Sequence, residues 1–262
     1  MLDLTVKKGM NQGWFGNADV AGGTEDRYMG RFMLNRFVDK TQVAVVGSAN
    51  NVNDQGFSGG GGPPRWRRNN GLTATKMLGV NFATQTDKLE LGGSARYNYQ
   101  DGDIASIGST EDFLPNGNSY SNSNSRQRNK AKNFNADFRM EWKPDSMTNI
   151  IFRPNFSYGK TDNLSNSESG TFNSDPYSLV SDPNNWLNLE KILNPDDDPL
   201  RSIRINAINS GSLNDNKSVS TDATLQLNRK LNDKGRNVTF LGRFGYTNND
   251  NNQYTESETH YF

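Results

Sequence analysis

Apolar and polar residues alternate one by one along several separate segments of this chain. In Lys88–Tyr99, small, apolar and aromatic residues occupy the odd-numbered positions, and charged, polar or glycine residues occupy the even-numbered ones. A period of two predicts a β-strand with one apolar face and one wet face. The same pattern, clear or weaker, predicts nine strands: Trp14–Gly22, Tyr28–Phe37, Val43–Asn51, Leu72–Phe82, Lys88–Tyr99, Phe134–Trp142, Asn149–Tyr158, Val219–Asn228 and Asn237–Tyr246.

The connections between these strands alternate between short and long. Short polar turns are predicted at Asp39–Lys40, Thr86–Asp87, Pro144–Ser146 and Asn232–Gly235, and long Asn/Ser/Gly-rich loops at 52–70, 101–130 and 163–216. The link Thr24–Arg27 is the one short connection on the long-loop side. Tight turns at one end and long loops at the other are typical of bacterial outer-membrane β-barrels, whose short turns are periplasmic and long loops extracellular.

The composition of the chain, taken alone, does not suggest a membrane protein. The mean hydropathy is −0.86 and hydrophobic residues make up 32% of the chain, values that fit a highly soluble or partly disordered protein. A barrel accounts for them, because only alternate strand residues face lipid and the loops are polar. No stretch approaches the ~20 apolar residues of a membrane helix. The net charge of zero gives no reason to expect a nucleic-acid partner, and the lack of cysteines fits an exported protein without disulfides.

The ends of the chain lead to a further expectation. The first residues, Met1–Thr5, lack the basic and apolar regions of a signal peptide, which an outer-membrane protein needs. A tenth strand is predicted from Tyr254 onward, and a barrel leaves no free strand edge in lipid. We therefore expect an all-β, antiparallel transmembrane β-barrel, present as an open fragment of about nine to ten strands whose remaining strands lie elsewhere.

Three segments resemble a known family. Leu2–Lys8 (LDLTVKK) resembles the last plug strand of TonB-dependent outer-membrane receptors, and Gly13–Gly23 (GWFGNADVAGG) resembles their first barrel strand. Arg31–Ser58 resembles the second and third barrel strands of the Bacteroidetes-type members. The resemblance implies a barrel of roughly 22 strands, with residues 1–10 as the end of a plug domain and 11–262 as the N-terminal part of the barrel.

The resemblance also implies a function, namely TonB-dependent active import of a nutrient such as a siderophore, glycan, cobalamin or peptide. The implied partners are outer-membrane lipid and lipopolysaccharide, the TonB complex through a plug that this chain lacks, and, as a further candidate, a surface lipoprotein. The alternative is a passive porin or a surface adhesin without energy coupling. Fold does not decide between these ligands.

Two places in the predicted outer loops are candidates for ligand binding. Arg65, Trp66, Arg67 and Arg68 form a cationic patch with an aromatic ring, suited to an anionic ligand or a lipopolysaccharide phosphate. A solvated loop is the favoured alternative, since charge runs in loops usually face water. Trp186 either packs a short helix or lid in the largest loop or stacks on a sugar.

A third group of candidates falls on the wet faces of the predicted strands. Its members are charged residues of both signs that are expected to face the lumen: Arg96, Asp137, Arg139, Glu141 and Arg153. Salt-bridged lumen walls or contacts to the plug are the expected roles. A selective pathway is the sharper alternative, because lumen residues tune selectivity.

Metal and catalytic chemistry have little support. The run Asp196–Asp198 could hold calcium, but its spacing does not follow an EF-hand, and a plain acidic loop is favoured. His260 is the only histidine, so neither a histidine zinc site nor a catalytic triad is expected. The sequence contains no hydrolase, metalloprotease or phosphate-loop motif, and we expect no enzyme activity and no cofactor.

Overall fold

The computed structural model describes residues 12–53, 71–115, 117–194, 198–232 and 235–262. They form a single antiparallel sheet in which each strand pairs with the next one along the chain, without any crossover. The nine strands are β1 (Gln12–Gly22), β2 (Tyr28–Val38), β3 (Thr41–Asn50), β4 (Leu72–Gln85), β5 (Leu89–Asp112), β6 (Ser119–Asp145), β7 (Thr148–Phe172), β8 (Arg204–Lys230) and β9 (Asn237–Tyr261). All nine predicted strands are confirmed.

The later strands are much longer than predicted. The strands β5 to β9 contain 24 to 27 residues each, or about 80 to 90 Å of extended chain. The loop predicted over 101–130 is wrong, because β5 continues to Asp112 and β6 resumes at Ser119. The reason is that both faces of this hairpin are polar, so the apolar alternation that marks a half-buried strand is missing there.

The other long connections differ in the same way. The loop predicted over 163–216 is reduced to 173–203, since β7 reaches Phe172 and β8 begins at Arg204. A separate tenth strand from Tyr254 is also wrong, because Tyr254 lies inside the continuous strand β9. The first long loop, 52–70, lies almost wholly outside the described residues, as do Leu2–Lys8 and the rest of the predicted plug segment.

The short turns are where the sequence places them, with small shifts. Asp39 and Lys40 join β2 to β3, and Asp39 adopts a positive φ of 51°, which aspartate tolerates better than most residues. Thr86 opens the turn between β4 and β5, and its hydroxyl accepts a 3.0 Å hydrogen bond from the Leu89 N–H. The turn after β6 falls at Ser146–Met147, slightly later than predicted, since β6 runs to Asp145. The link over 24–27 is short, as expected.

The strand register gathers the apolar residues on one face. From β4 to β9, alternate residues of 78–84, 89–97, 134–142, 150–158, 219–227 and 238–246 lie on that face, and nearly all are aromatic, aliphatic or small. On β5, β6, β7 and β8 this stretch is nine residues long. We call this surface the apolar band. It continues through Phe32 and Leu34 of β2 and Val43 and Val45 of β3.

The sheet is open. Within the described part of the chain β1 pairs only with β2 and β9 pairs only with β8, so the two ends of the sheet are free edges. The first edge strand begins at Gln12, close to the predicted Gly13. Among the described residues, no helix is long and apolar enough to cross a membrane.

A small buried core forms where the connection between β7 and β8 folds back on the sheet. The connection contains a 3₁₀ turn at Pro176–Ser178, a second at Pro183–Trp186 and a short helix, α1, at Leu189–Leu193. Asp175, Asp182 and Asn188 cap these three elements through their side-chain oxygens, as Asp and Asn commonly do. The buried centre of the cluster consists of Phe172, Leu187 and Leu200.

Candidate functional site

The five charged residues expected to face the lumen lie on one face of the sheet, opposite the apolar band. Arg96 pairs with Asn135, and Ser94 pairs with Asp137, which places these residues on the same side. Arg139, Glu141 and Arg153 follow at alternate positions of β6 and β7. We call this surface the polar face.

An ion-pair network occupies the turn-side part of the polar face. The Arg139 guanidinium lies 3.6 Å from the Glu90 carboxylate and 3.0 Å from that of Glu141. Lys143 adds a third contact, with its Nζ 3.0 Å from Glu141. Asp137 accepts a hydrogen bond from the Ser94 hydroxyl. The predicted salt bridges are therefore present around Arg139 and Glu141. Of these contacts, only Arg139–Glu90 joins adjacent strands, where a pair of opposite charges contributes about 0.2–1 kcal/mol.

Two of the five candidates are not part of that network. Arg96 and Arg153 make no ion pair and no side-chain hydrogen bond with any residue that the structure describes. Arg153 pairs with Thr224 of β8, which in turn pairs with Arg243 of β9, so Arg243 lies in the same row as Arg153. Arg243 makes no ion pair with a described residue either, and its place in the alternation of β9 was the signal that could have identified it.

These arginines define what the polar face can bind. A guanidinium presents a planar fork of donors that fits a carboxylate or phosphate through two parallel hydrogen bonds. A recess of about 480 Å³ lies nearby, with Gln42, Glu90, Asp137 and Arg139 among its lining residues. On the polar face, Arg139 beside the recess is neutralised by carboxylates, whereas Arg96, Arg153 and Arg243 form no ion pair with a described residue.

Trp186 packs within the loop. It ends the second 3₁₀ turn and lies half-buried against the buried cluster, and the Lys191 ammonium lies 5.2 Å from the centre of its ring. Its carbonyl accepts a 2.9 Å hydrogen bond from the Arg204 guanidinium. The short helix predicted in this loop is confirmed as α1. Of the two roles weighed for Trp186, these contacts support packing.

The remaining predicted sites divide between described and undescribed residues. Arg65, Trp66, Arg67 and Arg68 lie outside the described residues, as do Asp196 and Asp197. Asp198 is described, and its carboxylate binds Arg204 and the Leu200 N–H instead of standing open to a cation. Within the described ranges, no group of three or more metal-ligating side chains occurs. The His260 ring nitrogen Nε2 lies 2.7 Å from the Glu258 carboxylate.

Beyond the apolar band, two arginine–aspartate pairs join β5 to β6. Arg126 binds both carboxylate oxygens of Asp103, at 3.0 and 2.6 Å. Arg128 binds both oxygens of Asp101, at 3.2 and 3.1 Å. The hydrogen bonds from Arg128 hold the pKa of Asp101 below its ordinary value, and those from Arg126 do the same to the pKa of Asp103. These ion pairs join β5 to β6 in a part of the hairpin that has few apolar side chains.

The alternation of basic residues in this hairpin was missed because Arg126, Arg128 and Lys130 fall in the predicted loop over 101–130, and Lys132 falls before the predicted strand at Phe134–Trp142. Arg126, Arg128, Lys130 and Lys132 alternate with the uncharged residues Ser125, Gln127, Asn129 and Ala131. Charge at every second position is also a period of two, and it could have identified a strand with one charged face. The structure places all four basic side chains on the same side of the sheet as the apolar band.

Comparisons with known proteins identify no family for this chain. No protein-family model matches the chain, and no curated protein matches it. Among solved structures, the crystal structure of Pseudomonas aeruginosa OccK8 (OprE) aligns with a TM-score of 0.12 and 8% sequence identity, covering 95% of this chain and 96% of that one. A TM-score this low carries no argument about fold or function.

Proposed function

We propose that this chain forms part of the wall of an outer-membrane β-barrel that imports a nutrient in a TonB-dependent manner. The observation that carries the proposal is the division of the sheet into two faces. Over the same nine residues of β5, β6, β7 and β8, one face is the apolar band and the other is the polar face. Nine residues match the ~9–11 that a tilted strand needs to cross the hydrocarbon core.

The apolar band supports lipid as its covering layer. Large apolar side chains remain exposed across it, including Leu78 of β4 at 50% and Trp142 of β6 at 43%. Soluble monomers rarely expose contiguous apolar patches of more than a few hundred Å², and larger patches mark interaction or membrane surfaces. Aromatic residues lie near both ends of the band, with Tyr97 and Tyr158 at the loop end and Trp142 at the turn end. Aromatic girdles at the two interfaces are typical of membrane barrels.

The free edges support a larger closed assembly. Unpaired backbone N–H and C=O groups cost several kcal/mol each in lipid, so β1 and β9 cannot meet the hydrocarbon region unpartnered. We propose that further strands pair with both and close a barrel of roughly 22 strands. The polar face would then line the lumen.

The polar face and the sequence resemblance together favour nutrient import as the function. Arg96, Arg153 and Arg243 offer positive charge to an anionic nutrient passing along the wall. The energy coupling rests on Leu2–Lys8, whose likeness to a plug strand implies a plug that contacts TonB. No reaction chemistry and no cofactor belong to this proposal.

The test uses the intact protein in its native host and after purification. We expect it to fractionate with the outer membrane, to be retained by the immobilised periplasmic domain of TonB, and to show no steady conductance in planar bilayers, because a plug fills the lumen. Recovery in the soluble fraction contradicts the barrel. Retention in the outer membrane with stable open conductance and no TonB binding contradicts active import and favours the passive porin. A closed, TonB-independent protein favours the surface adhesin.

A further inference from the structure

Lysines from four strands share one row across the sheet, directly beyond the loop end of the apolar band. The register aligns Lys76 of β4, Tyr99 of β5, Lys132 of β6, Lys160 of β7 and Lys217 of β8. Neighbouring strands in a sheet lie about 4.8 Å apart, so Lys132, Lys160 and Lys217 follow one another at that spacing. We call these four lysines the lysine row.

Like charges directly opposite on adjacent strands destabilise a sheet unless something neutralises them. Lys160 is neutralised within the chain, since its Nζ lies 3.3 Å from both the Asp162 and Asp215 carboxylates. Lys76 lies 5.9 Å from the centre of the Tyr99 ring. Lys132 and Lys217 are exposed and make no ion pair with any described residue, although Asp250 of β9 is the register partner of Lys217. The row therefore has positive charge to offer.

The lysine row is the first charged level beyond the loop end of the apolar band. The next row toward the band contains Leu78, Tyr97, Phe134, Tyr158 and Val219, which are apolar or aromatic. The next row outward contains Lys130 together with Asp101, Asp162 and Asp215. Farther out, Arg126 is bound to Asp103, and Arg128 is bound to Asp101. Lys132 and Lys217 thus lie at the boundary between the apolar band and the polar hairpins.

We infer that the lysine row binds the phosphate groups of an anionic glycolipid in the outer leaflet. The inference rests on the proposed function, because it needs the apolar band to face lipid. A lipid whose acyl chains lie on the band brings its phosphates to the level of the row. Lys132 and Lys217, which form no ion pair with a described residue, then bind the lipid phosphates, while the Tyr97 and Tyr158 rings lie on the lipid side of the row. Charge complementarity at the correct height selects a phosphate headgroup over a free anion.

The experiment measures lipid binding to the intact protein in detergent. The probes are bisphosphorylated lipid A, the same lipid with its phosphates removed, and inorganic phosphate. The test variant is Lys132→Gln with Lys217→Gln. The matched control is Lys40→Gln with Lys230→Gln, which removes the same charge from the turn end of the strands. A basic residue beside an anionic membrane surface contributes about a fivefold gain in binding, so the test variant should bind lipid A about 25-fold more weakly.

The control variant should bind lipid A within about twofold of the wild type, because its lysines lie at the other end of the strands. Equal affinity of the test variant and the wild type overturns the inference, as does equal binding of the dephosphorylated lipid. Competition by inorganic phosphate at the concentration of the lipid identifies a general anion site and also overturns it. If the double substitution prevents folding, Lys217→Gln alone, with about fivefold weaker binding, decides the matter. Fractionation with the outer membrane but unchanged lipid binding rejects this inference and leaves the proposed function standing.

Discussion

Arg204 and Asp198 form an ion pair whose side chains are 0% and 1% exposed. Two guanidinium nitrogens of Arg204 lie 3.2 Å from the two carboxylate oxygens, and the guanidinium also lies 5.1 Å from the Phe172 ring. Since Arg204 begins β8 and Asp198 lies in the connection before it, the pair anchors that connection to the end of the sheet. The Arg204 bond to the Trp186 carbonyl anchors the same connection at a second point.

Removing one member of this pair should release the connection. Breaking a buried ion pair leaves an uncompensated charge and costs about 3–5 kcal/mol, so Asp198→Ala should raise amide exchange and protease cleavage across 173–203. Glu190→Gln, an exposed change in α1, is the control and should leave both unchanged. Asp198→Leu with Arg204→Met should restore much of the protection, because neither charge then remains buried. Unchanged exchange in Asp198→Ala would contradict the anchoring role.

The two faces of β6 should respond very differently to substitution. Phe138 lies at mid-height in the apolar band, where its ring centre is 6.1 Å from that of Phe82, and Asp137 lies on the polar face. A basic residue on the lipid face near the midplane costs about 2–4 kcal/mol, so Phe138→Arg should lower the free energy of unfolding by that amount. Asp137→Ala should cost much less. The measurement is urea unfolding of the intact protein in lipid vesicles, and equal costs at both positions would refute the assignment of faces.

The strands of this sheet could be predicted from the sequence only where one face is apolar. In Lys88–Tyr99 the alternation identifies the strand and its faces correctly, and the Asx-containing turns at Asp39–Lys40 and Thr86–Asp87 are correct to within a residue. The outer parts of β5 to β9 carry polar residues on both sides, so no hydrophobic period reveals them. They are held by backbone pairing and by contacts such as Arg126–Asp103, which depend on a register that only the fold supplies.

The candidate site shows the same limit. Alternation sufficed to put Arg96, Asp137 and Arg153 on one face, because a period of two fixes the side of every residue in a strand. It could not predict which charges neutralise one another, since the Arg139–Glu90 contact joins two strands. The lysine row was likewise invisible, because its members lie far apart in sequence and meet only through the register of β4 to β8.

The proposed orientation can be tested with single cysteines, because the chain contains none. Phe113, in the connection between β5 and β6, is 79% exposed, and the Lys40 side chain, in the turn between β2 and β3, is 63% exposed. If the long hairpins face outward, an impermeant thiol reagent should label Phe113→Cys but not Lys40→Cys on intact cells. Both should be labelled after the cells are lysed, which controls for access. Labelling at position 40 but not at 113 on intact cells would reverse the orientation.

Acid should loosen the extended hairpin of β5 and β6 selectively. Hydrogen bonds from Arg128 and Arg126 lower the pKa of Asp101 and of Asp103 in the folded protein. A carboxylate with a lowered folded pKa contributes stability that is fully present above its ordinary pKa, near 3.9, and is lost as the pH falls through the folded value. Amide exchange over 101–112 and 119–128 should therefore accelerate, beyond its intrinsic pH dependence, as the pH is lowered below about 4. The exposed position of these pairs keeps the effect small.

The variant Asp101→Asn with Asp103→Asn is the control. It should show the faster exchange already at neutral pH and little further change in acid. An equal acid response in this variant and in the wild type would show that other groups control the hairpin.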